Sequence, residues 1–340
     1  MPKGSKKLIE SLLAEAGISI NGNEPDSIHI YNSDFYDRVI SQRELGLGES
    51  YMDGWWECAK IDQALTKLLN SDVQKKLRIS LPLVLHILKA SVINRQTKLR
   101  ATNNAKHHYN IGNELYSRML DKEMIYSCAY WKNAMSLEDA QFAKLDLICQ
   151  KLDLKKGTSL LDIGSGWGGF LRHAAKHYGV NGYGISPANN QVELAREKST
   201  GFAIKFDQLD YRELKGSYDR IVSIGMMEHV GPKNYAIFFD KCKELLNQDG
   251  VMLHHTIASN NPSNSTNPFF DKYIFPGGVL PSMPGLARAV EGKFVIEDVH
   301  NFGPDYDLTL MAWHANVNSR WHEIPQFDLR FQRMWNFYLL

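Results

Sequence analysis

Ser159-Leu-Leu-Asp-Ile-Gly-Ser-Gly-Trp-Gly-Gly-Phe170 decides the fold. An apolar run, Leu160 to Ile163, is broken only by Asp162 and meets a glycine-dense turn. A helix-like segment, Phe170 to Tyr178, follows. That order reads as strand, tight turn and helix N-terminus. Glycines at 164, 166, 168 and 169 let the backbone turn sharply and let a ligand approach it closely. Gly164, Gly166 and Gly169 also satisfy G-x-G-x-x-G, a dinucleotide-binding spacing.

Two features favour a different ligand. Asp162 sits two residues before the first glycine, where a carboxylate can meet the polar or cationic part of a cofactor but would repel a pyrophosphate. A dinucleotide site also wants an acid at the end of the next strand to bond the ribose. Here that strand, Val180 to Ile185, runs into Ser186-Pro-Ala-Asn-Asn190 with no acid. The D-x-G-x-G pattern resembles the first motif of S-adenosylmethionine-dependent methyltransferases.

Outward from this stretch, strands are expected at 159–163, 180–185, 202–206, 218–224 and 250–258. Helices are expected at 137–152, 168–178, 188–199 and 233–246. The alternation predicts an α/β domain with a doubly wound parallel sheet. Ligands bind at the carboxyl ends of such strands. The chemically rich residues fall there: Gly164 to Gly169, Ser186 to Gln191, Asp210 and Tyr211, Glu228, then His254 and His255. An insertion over 260–292 is expected to shape or cover the site. Phe294 to Val299 reads as a sixth strand, and two helices close the chain.

The N-terminal part has another texture. Leu8, Ile9, Leu12, Leu13 and Ala16 mark one face of a helix stopped by Gly17. Ile18 and Ile20 alternate, Asn21-Gly22 turns, and Ile28 and Ile30 alternate again. A short helix is expected from Asp34. The run Leu45 to Cys58 is aromatic and glycine-rich, and its tryptophans suit either a small core or a lipid-facing surface. Residues 73–100 read as a helix kinked near Pro82. Between 71 and 106 eight Lys or Arg face one acid, Asp72, around a leucine- and isoleucine-rich stripe. Such a helix can lie on an anionic membrane or simply present a solvated basic face. The domains expected are therefore 1–93, a linker at 94–106, and 107–340.

Composition limits the alternatives. The 340 residues are 44% hydrophobic and carry a net charge of +1, so no global field points to nucleic acid. The four cysteines, 58, 128, 149 and 242, form no C-x-x-C and fit a reducing compartment. Neither His254-His255 nor His107-His108 suggests a metal site, since adjacent side chains point apart.

Four segments match one family: Tyr126-Ser-Cys-Ala-Tyr-Trp131, Leu161 to Gly169, Glu228-His-Val-Gly-Pro-Lys-Asn-Tyr235, and Asp305-Tyr-Asp-Leu-Thr-Leu-Met-Ala-Trp313. Together they resemble the cyclopropane-fatty-acyl-phospholipid synthases, with mycolic acid cyclopropane synthases as more distant relatives. Gly46 to Trp56 resembles the phospholipid enzymes too. The resemblance implies a Rossmann-like class I methyltransferase domain behind a small, mainly helical N-terminal domain that docks on membrane. It implies transfer of the methyl of S-adenosylmethionine to the cis double bond of a phospholipid acyl chain, with ring closure through a carbocation. It also implies a bound bicarbonate as base, held by Cys128, Glu228, His255, the backbone of Ile257, and Tyr306. The cofactor would be met by Tyr126, Ser127, Asp162, Gly164, Ser165, Gly166, Trp167, Gly168, Gly169, Ser186, Gln191, Asp210 and Tyr211. Tyr109, Phe275 and the aromatics of 126–131 would line the acyl channel or face the cation.

The partners implied are an unsaturated phospholipid, an anionic membrane surface and a second copy of the chain, with no nucleic acid. The expected location is cytoplasmic, peripheral on the inner face of the cell membrane. Ser165 stands where the family usually has Cys, and Pro187 removes a backbone donor beside the cofactor. Family members continue past Leu340 into a seventh, antiparallel strand, without which the strand at 250–258 would expose an edge. The rival readings are a methyl-branching lipid methyltransferase, an inactive lipid-binding relative, and, more distantly, a nicotinamide oxidoreductase.

Overall fold

The computed structural model describes residues 3–71, 73 and 112–340. The expected basic helix, the linker, His107, His108 and Tyr109 lie outside the described residues. The chain divides into two compact units. One gathers the N-terminal residues with Asn267–Ile274 and Trp321–Leu340, and the other holds the remainder of the described chain. Residues 267–274 and 321–340, expected with the catalytic domain, thus cluster with the N-terminal elements.

In the first unit, the helix Lys3–Glu15 buries Ile9, Leu12 and Leu13 and ends at Gly17, whose φ of 73° is a left-handed stop. Strand β1 (His29–Ile30) pairs antiparallel with β2 (Trp56–Glu57). The helix Phe35–Met52 runs through the glycine-rich segment, which the sequence left without an element, and is kinked at Arg43 (φ 53°). Within this helix only glycine fits at position 48: a Cβ there would lie 2.4 Å from the Phe269 ring. The helix Leu329–Leu339 brings Phe337 to the same place, 6.0 Å from the Tyr51 ring. Trp56 is 1% exposed in this core, so this tryptophan takes the core reading rather than the lipid-facing one.

A charged cluster lies at the edge of that core. Glu49 accepts from Arg38 at 2.6 Å, from Tyr273 at 2.7 Å, and from Lys272. Burial raises its pKa, but these donors overcome burial and bring it from 4.5 down to about 2. A depressed carboxylate stabilises the fold above its unfolded pKa and loses that stabilisation as pH falls through its folded one. About 3 kcal/mol is therefore expected to drain away between pH 4.5 and pH 2. Urea unfolding across that window should show the loss, and Glu49→Gln should flatten that limb of the profile. An unchanged limb in Glu49→Gln would refute the assignment.

The second unit is built on five parallel strands in the order β5-β4-β3-β6-β7. They are β3 (Ser159–Ile163), β4 (Asn181–Ser186), β5 (Ile204–Gln208), β6 (Tyr218–Ile224) and β7 (Leu246–His255). Leu160 joins the core on one face and Leu161 and Ile163 the core on the other. Both faces are covered, which is why the strand reads as a nearly continuous apolar run. Chain order reverses direction between β3 and β6, the place where open α/β sheets bind ligands. There a Cβ on Gly164 would meet Met226 at 3.2 Å.

The expected sixth strand is corrected: residues 294–299 form no strand. A β-strand exists only through pairing, and no strand among the described residues pairs with the outer edge of β7. Val295, Ile296 and Val299 are exposed there. Strand β7 also starts at Leu246, earlier than expected.

Candidate active site

The turn after β3 is shaped by its glycines. Gly168 (φ 79°) caps the helix Gly169–Tyr178, and a Cβ on it would sit 2.6 Å from the Phe206 ring. Gly166 (φ 53°) instead faces open space, with nothing within 4 Å of its Cβ position. The amides of Gly164 and Ser165 both donate to Ile185 O, at 3.0 and 2.9 Å, tying the turn to β4. Asp162 is 2% exposed, and burial pushes its carboxyl up to about 7. Its Oδ1 has no hydrogen-bond partner among the described residues. An enclosed acceptor beside an open glycine fits a ligand that brings a donor or a positive charge, as S-adenosylmethionine does.

Other expected cofactor residues divide into two groups. Ser186 donates to Gln191 Oε1 at 2.8 Å and accepts from the Ala188 amide at 3.2 Å, which sets the turn after β4. Trp167 donates through Nε1 to Asn113 at 2.8 Å and stands 5.0 Å from the Tyr116 ring. Asp210 is engaged by its own turn and by a two-pronged pair with Arg212, at 2.7 and 2.8 Å. Tyr211 is buried in the core, 5.3 Å from Phe238.

The five residues expected to hold the base come from distant parts of the chain. Glu228 follows β6, and its Oε1 accepts from the Ile257 amide at 2.7 Å. Burial raises its pKa against that bond. Its backbone oxygen accepts from Val279 N at 2.8 Å, so part of the 260–292 insertion packs on the site. His255 ends β7, and burial drives its pKa down to about 3. Burial pushes the Cys128 thiol up to about 11. The segment after Cys128 is stitched to the helix Asp305–Arg320, which carries Tyr306. Ala129 N and Trp131 Nε1 donate to Thr309 Oγ1 at 3.1 and 2.9 Å, and Trp131 N donates to Asp305 at 2.7 Å. Glu228 Oε2 and His255 Nδ1 are enclosed and have no hydrogen-bond partner among the described residues.

Aromatic rings cluster around Tyr126, two residues before Cys128. Tyr116 and Trp313 each stand about 5 Å from Tyr126, at 5.1 and 5.2 Å, and Tyr306 is 6.0 Å from Trp313. Phe275, expected with these aromatics, lies 6.3 Å from Tyr126 and 5.9 Å from His229. Tyr130 faces Phe302 instead, and Phe302 faces His255, each at 5.5 Å.

Sequence reading missed Lys144, Gln141 and Tyr116. The helix Leu137–Lys151 buries Leu137, Gln141, Lys144, Leu145 and Ile148, so Lys144 stands on the apolar stripe. A lysine at that helical position was the available signal.

The comparisons with known proteins agree on one family. Residues 96–340 match the mycolic acid cyclopropane synthetase family. The cyclopropane-fatty-acyl-phospholipid synthase of Escherichia coli K12 is 46% identical over 334 residues, covering 98% of this chain and 87% of its own. The cyclopropane synthase MmaA2 from Mycobacterium tuberculosis superposes with a TM-score of 0.67 at 29% identity, over 73% of this chain and 93% of that one. The mycolic acid cyclopropane synthase CmaA1, in complex with SAH and CTAB, superposes with a TM-score of 0.64 at 32% identity, over 70% and 90%. The chain belongs to the cyclopropane synthase family of S-adenosylmethionine-dependent methyltransferases.

Proposed function

We propose that this enzyme converts a cis double bond in an unsaturated phospholipid acyl chain into a cyclopropane ring, using bicarbonate as the base. The observation that carries the reading is the two enclosed polar atoms, Glu228 Oε2 and His255 Nδ1, on residues that follow β6 and end β7, two strand ends joined by the Gly225 amide donating to His255 O at 2.9 Å. Two buried groups with unused bonding capacity fit a small oxyanion that both accepts and donates.

S-adenosylmethionine, when bound, supplies an electrophilic methyl group. Bicarbonate, when bound, supplies an oxygen base. The residues of the chain make the rest possible. The alkene is a weak nucleophile, so positioning must supply much of the rate. Tyr126, Trp313 and Tyr306 form a π-rich cluster, and such faces favour positive charge on carbon. Cys128 is held as a thiol, which can donate a hydrogen bond but does not trap a cation as a thiolate would. His255 is held neutral, with one N–H donor and one lone pair. Glu228 is oriented by the Ile257 amide, which leaves its second oxygen for the site. In the net reaction the acyl chain gains one methylene and the base receives one proton.

The membrane surface, the cytoplasmic location and the homodimer belong to the same proposal, supported by the family resemblance and by the basic stretch 75–106. The test is incubation of the chain with vesicles of anionic unsaturated phospholipid, S-adenosylmethionine and bicarbonate, followed by fatty-acid analysis. A cyclopropane product one methylene heavier is expected, with a rate that falls as salt is added. A methyl-branched product, or none, would overturn the reaction. A rate indifferent to salt and to lipid charge would overturn the docking. Sedimentation at the monomer mass of 38.7 kDa would overturn the dimer.

A further inference from the structure

One buried cation beside this site has no part in the mechanism above. Lys144 is 0% exposed. Its Nζ donates to Ser127 Oγ at 2.7 Å. Three residues earlier on the same helix face, Gln141 is 1% exposed and donates through Nε2 to Ile125 O at 3.3 Å and to Ser127 O at 3.0 Å. Together the two side chains hold the strip 125–127, and Cys128 is its next residue. The strip lies against the ligand end of the sheet, since a Cβ on Gly225, directly after β6, would be 3.8 Å from Ser127 Cβ.

A wholly enclosed ammonium is costly: burial pulls the pKa of Lys144 down to about 7, against the opposing pull of Asp121 and Cys128, so its charge depends on such neighbours. Here that charge is felt by three neighbours. Asp121 is one: burial raises its pKa, while the amides of Ile125 at 2.8 Å and Glu123 at 2.9 Å, which donate to its two oxygens, and the charge of Lys144 pull the other way. The other two are Cys128 and His255. Lys144 works against the burial that raises the thiol's pKa, and it adds to the burial that lowers the imidazole's.

Apart from the sulfonium that S-adenosylmethionine would bring, the side chains expected around the base leave room for a cation's charge. A bicarbonate ion would sit among a neutral thiol, a neutral imidazole, a phenol and the carboxyl of Glu228. None of these brings positive charge, and an ionised Glu228 would repel the anion. Low-dielectric surroundings strengthen that repulsion. We propose that Lys144 is a positioning residue that supplies positive charge to the site that includes Cys128 and His255, and so lets a small oxyanion of the bicarbonate class bind beside Glu228. This rests on the bicarbonate reading.

The experiment is cyclopropane formation measured against bicarbonate concentration in carbonate-depleted buffer, for the wild-type enzyme, Lys144→Met and Lys144→Arg. Lys144→Met nearly keeps the length and removes the charge; it is made together with Asp121→Asn, since replacing both partners of a buried charge pair is commonly tolerated whereas removing one is not. The half-saturating bicarbonate concentration of this double variant should rise about tenfold or more, with S-adenosylmethionine affinity within about twofold of wild type. Lys144→Arg keeps the charge and should return much of the bicarbonate response. A merely structural role would instead lower the rate of both variants without moving half-saturation. Where the double variant does not fold, the shorter neutral Lys144→Gln, again with Asp121→Asn, is read in the same assay. A bicarbonate response in the neutral variant equal to wild type would overturn the role of Lys144 alone. A wild-type enzyme indifferent to bicarbonate would overturn the bicarbonate reading, and this inference with it.

Discussion

Glu228→Gln is expected to lower cyclopropane formation about a thousandfold while cofactor affinity stays within about twofold of wild type. The reason is the asymmetry of the carboxylate. One oxygen is fixed by the Ile257 amide at 2.7 Å, and the other is enclosed with no partner among the described residues. A carboxamide has one oxygen and one NH2. If the oxygen keeps the bond to Ile257, a donor replaces an acceptor at the reacting face. If it turns to the site, two N–H donors oppose each other at Ile257, leaving a buried donor unsatisfied. Either way the group that sets the orientation of the base is lost. The volume is unchanged, so the aromatic cluster and the glycine turn should persist. Turnover on vesicles measures the first quantity and calorimetric titration with S-adenosylhomocysteine the second. Near-wild-type turnover would remove Glu228 from the mechanism, and a parallel loss of cofactor affinity would mean the variant had disturbed the site as a whole.

Trp56→Ala should cost about 3–5 kcal/mol of stability, read as an earlier urea transition with the first unit's core as its source. Trp56 is 1% exposed and stands 5.0 Å from the Tyr51 ring. Its Nε1 donates to Leu47 O and Ser50 Oγ, both at 3.1 Å. The substitution therefore opens a cavity and removes the shared donor of two hydrogen bonds, which are separate mechanisms of destabilisation. Phe337, 6.5 Å away, belongs to the same core, so loosening of the Leu329–Leu339 helix should accompany the loss. A change under about 1 kcal/mol would mean that the core relaxes around the gap and that this tryptophan is not its centre.

How much of this was readable beforehand depended on whether the signal was local. Leu160 to Phe170 carries its own instructions: an apolar run, a turn that needs positive φ at Gly164, Gly166 and Gly168, and a helix start. Strands at 159–163 and 218–224 and the helix at Gly169–Tyr178 accordingly stand where the periodicity puts them, to within a residue. Segment 294–299 has equally good β-forming residues, yet it is not a strand, because a strand also requires a neighbour to pair with. Residues 45–52 show the converse. Their run was read only as aromatic and glycine-rich, yet they are helical, and Gly48 lies where Phe269 and Phe337 leave no room for a side chain.

The sequence by itself determined the alternation of strands and helices, the glycine turn, and which residues stand at the carboxyl ends of the strands. Each of these follows from side-chain period and backbone freedom within about a dozen neighbouring residues. Tertiary structure alone decided what those residues meet. It set Thr309 and Asp305 against the strip after Cys128, bound Glu228 to the Ile257 amide, and gathered 267–274 and 321–340 with the N-terminal elements. It also enclosed Lys144 next to the site. Burial and the field of distant charges depend on the folded packing as a whole, so no local pattern encodes the thiol, imidazole and carboxyl states that the chemistry needs.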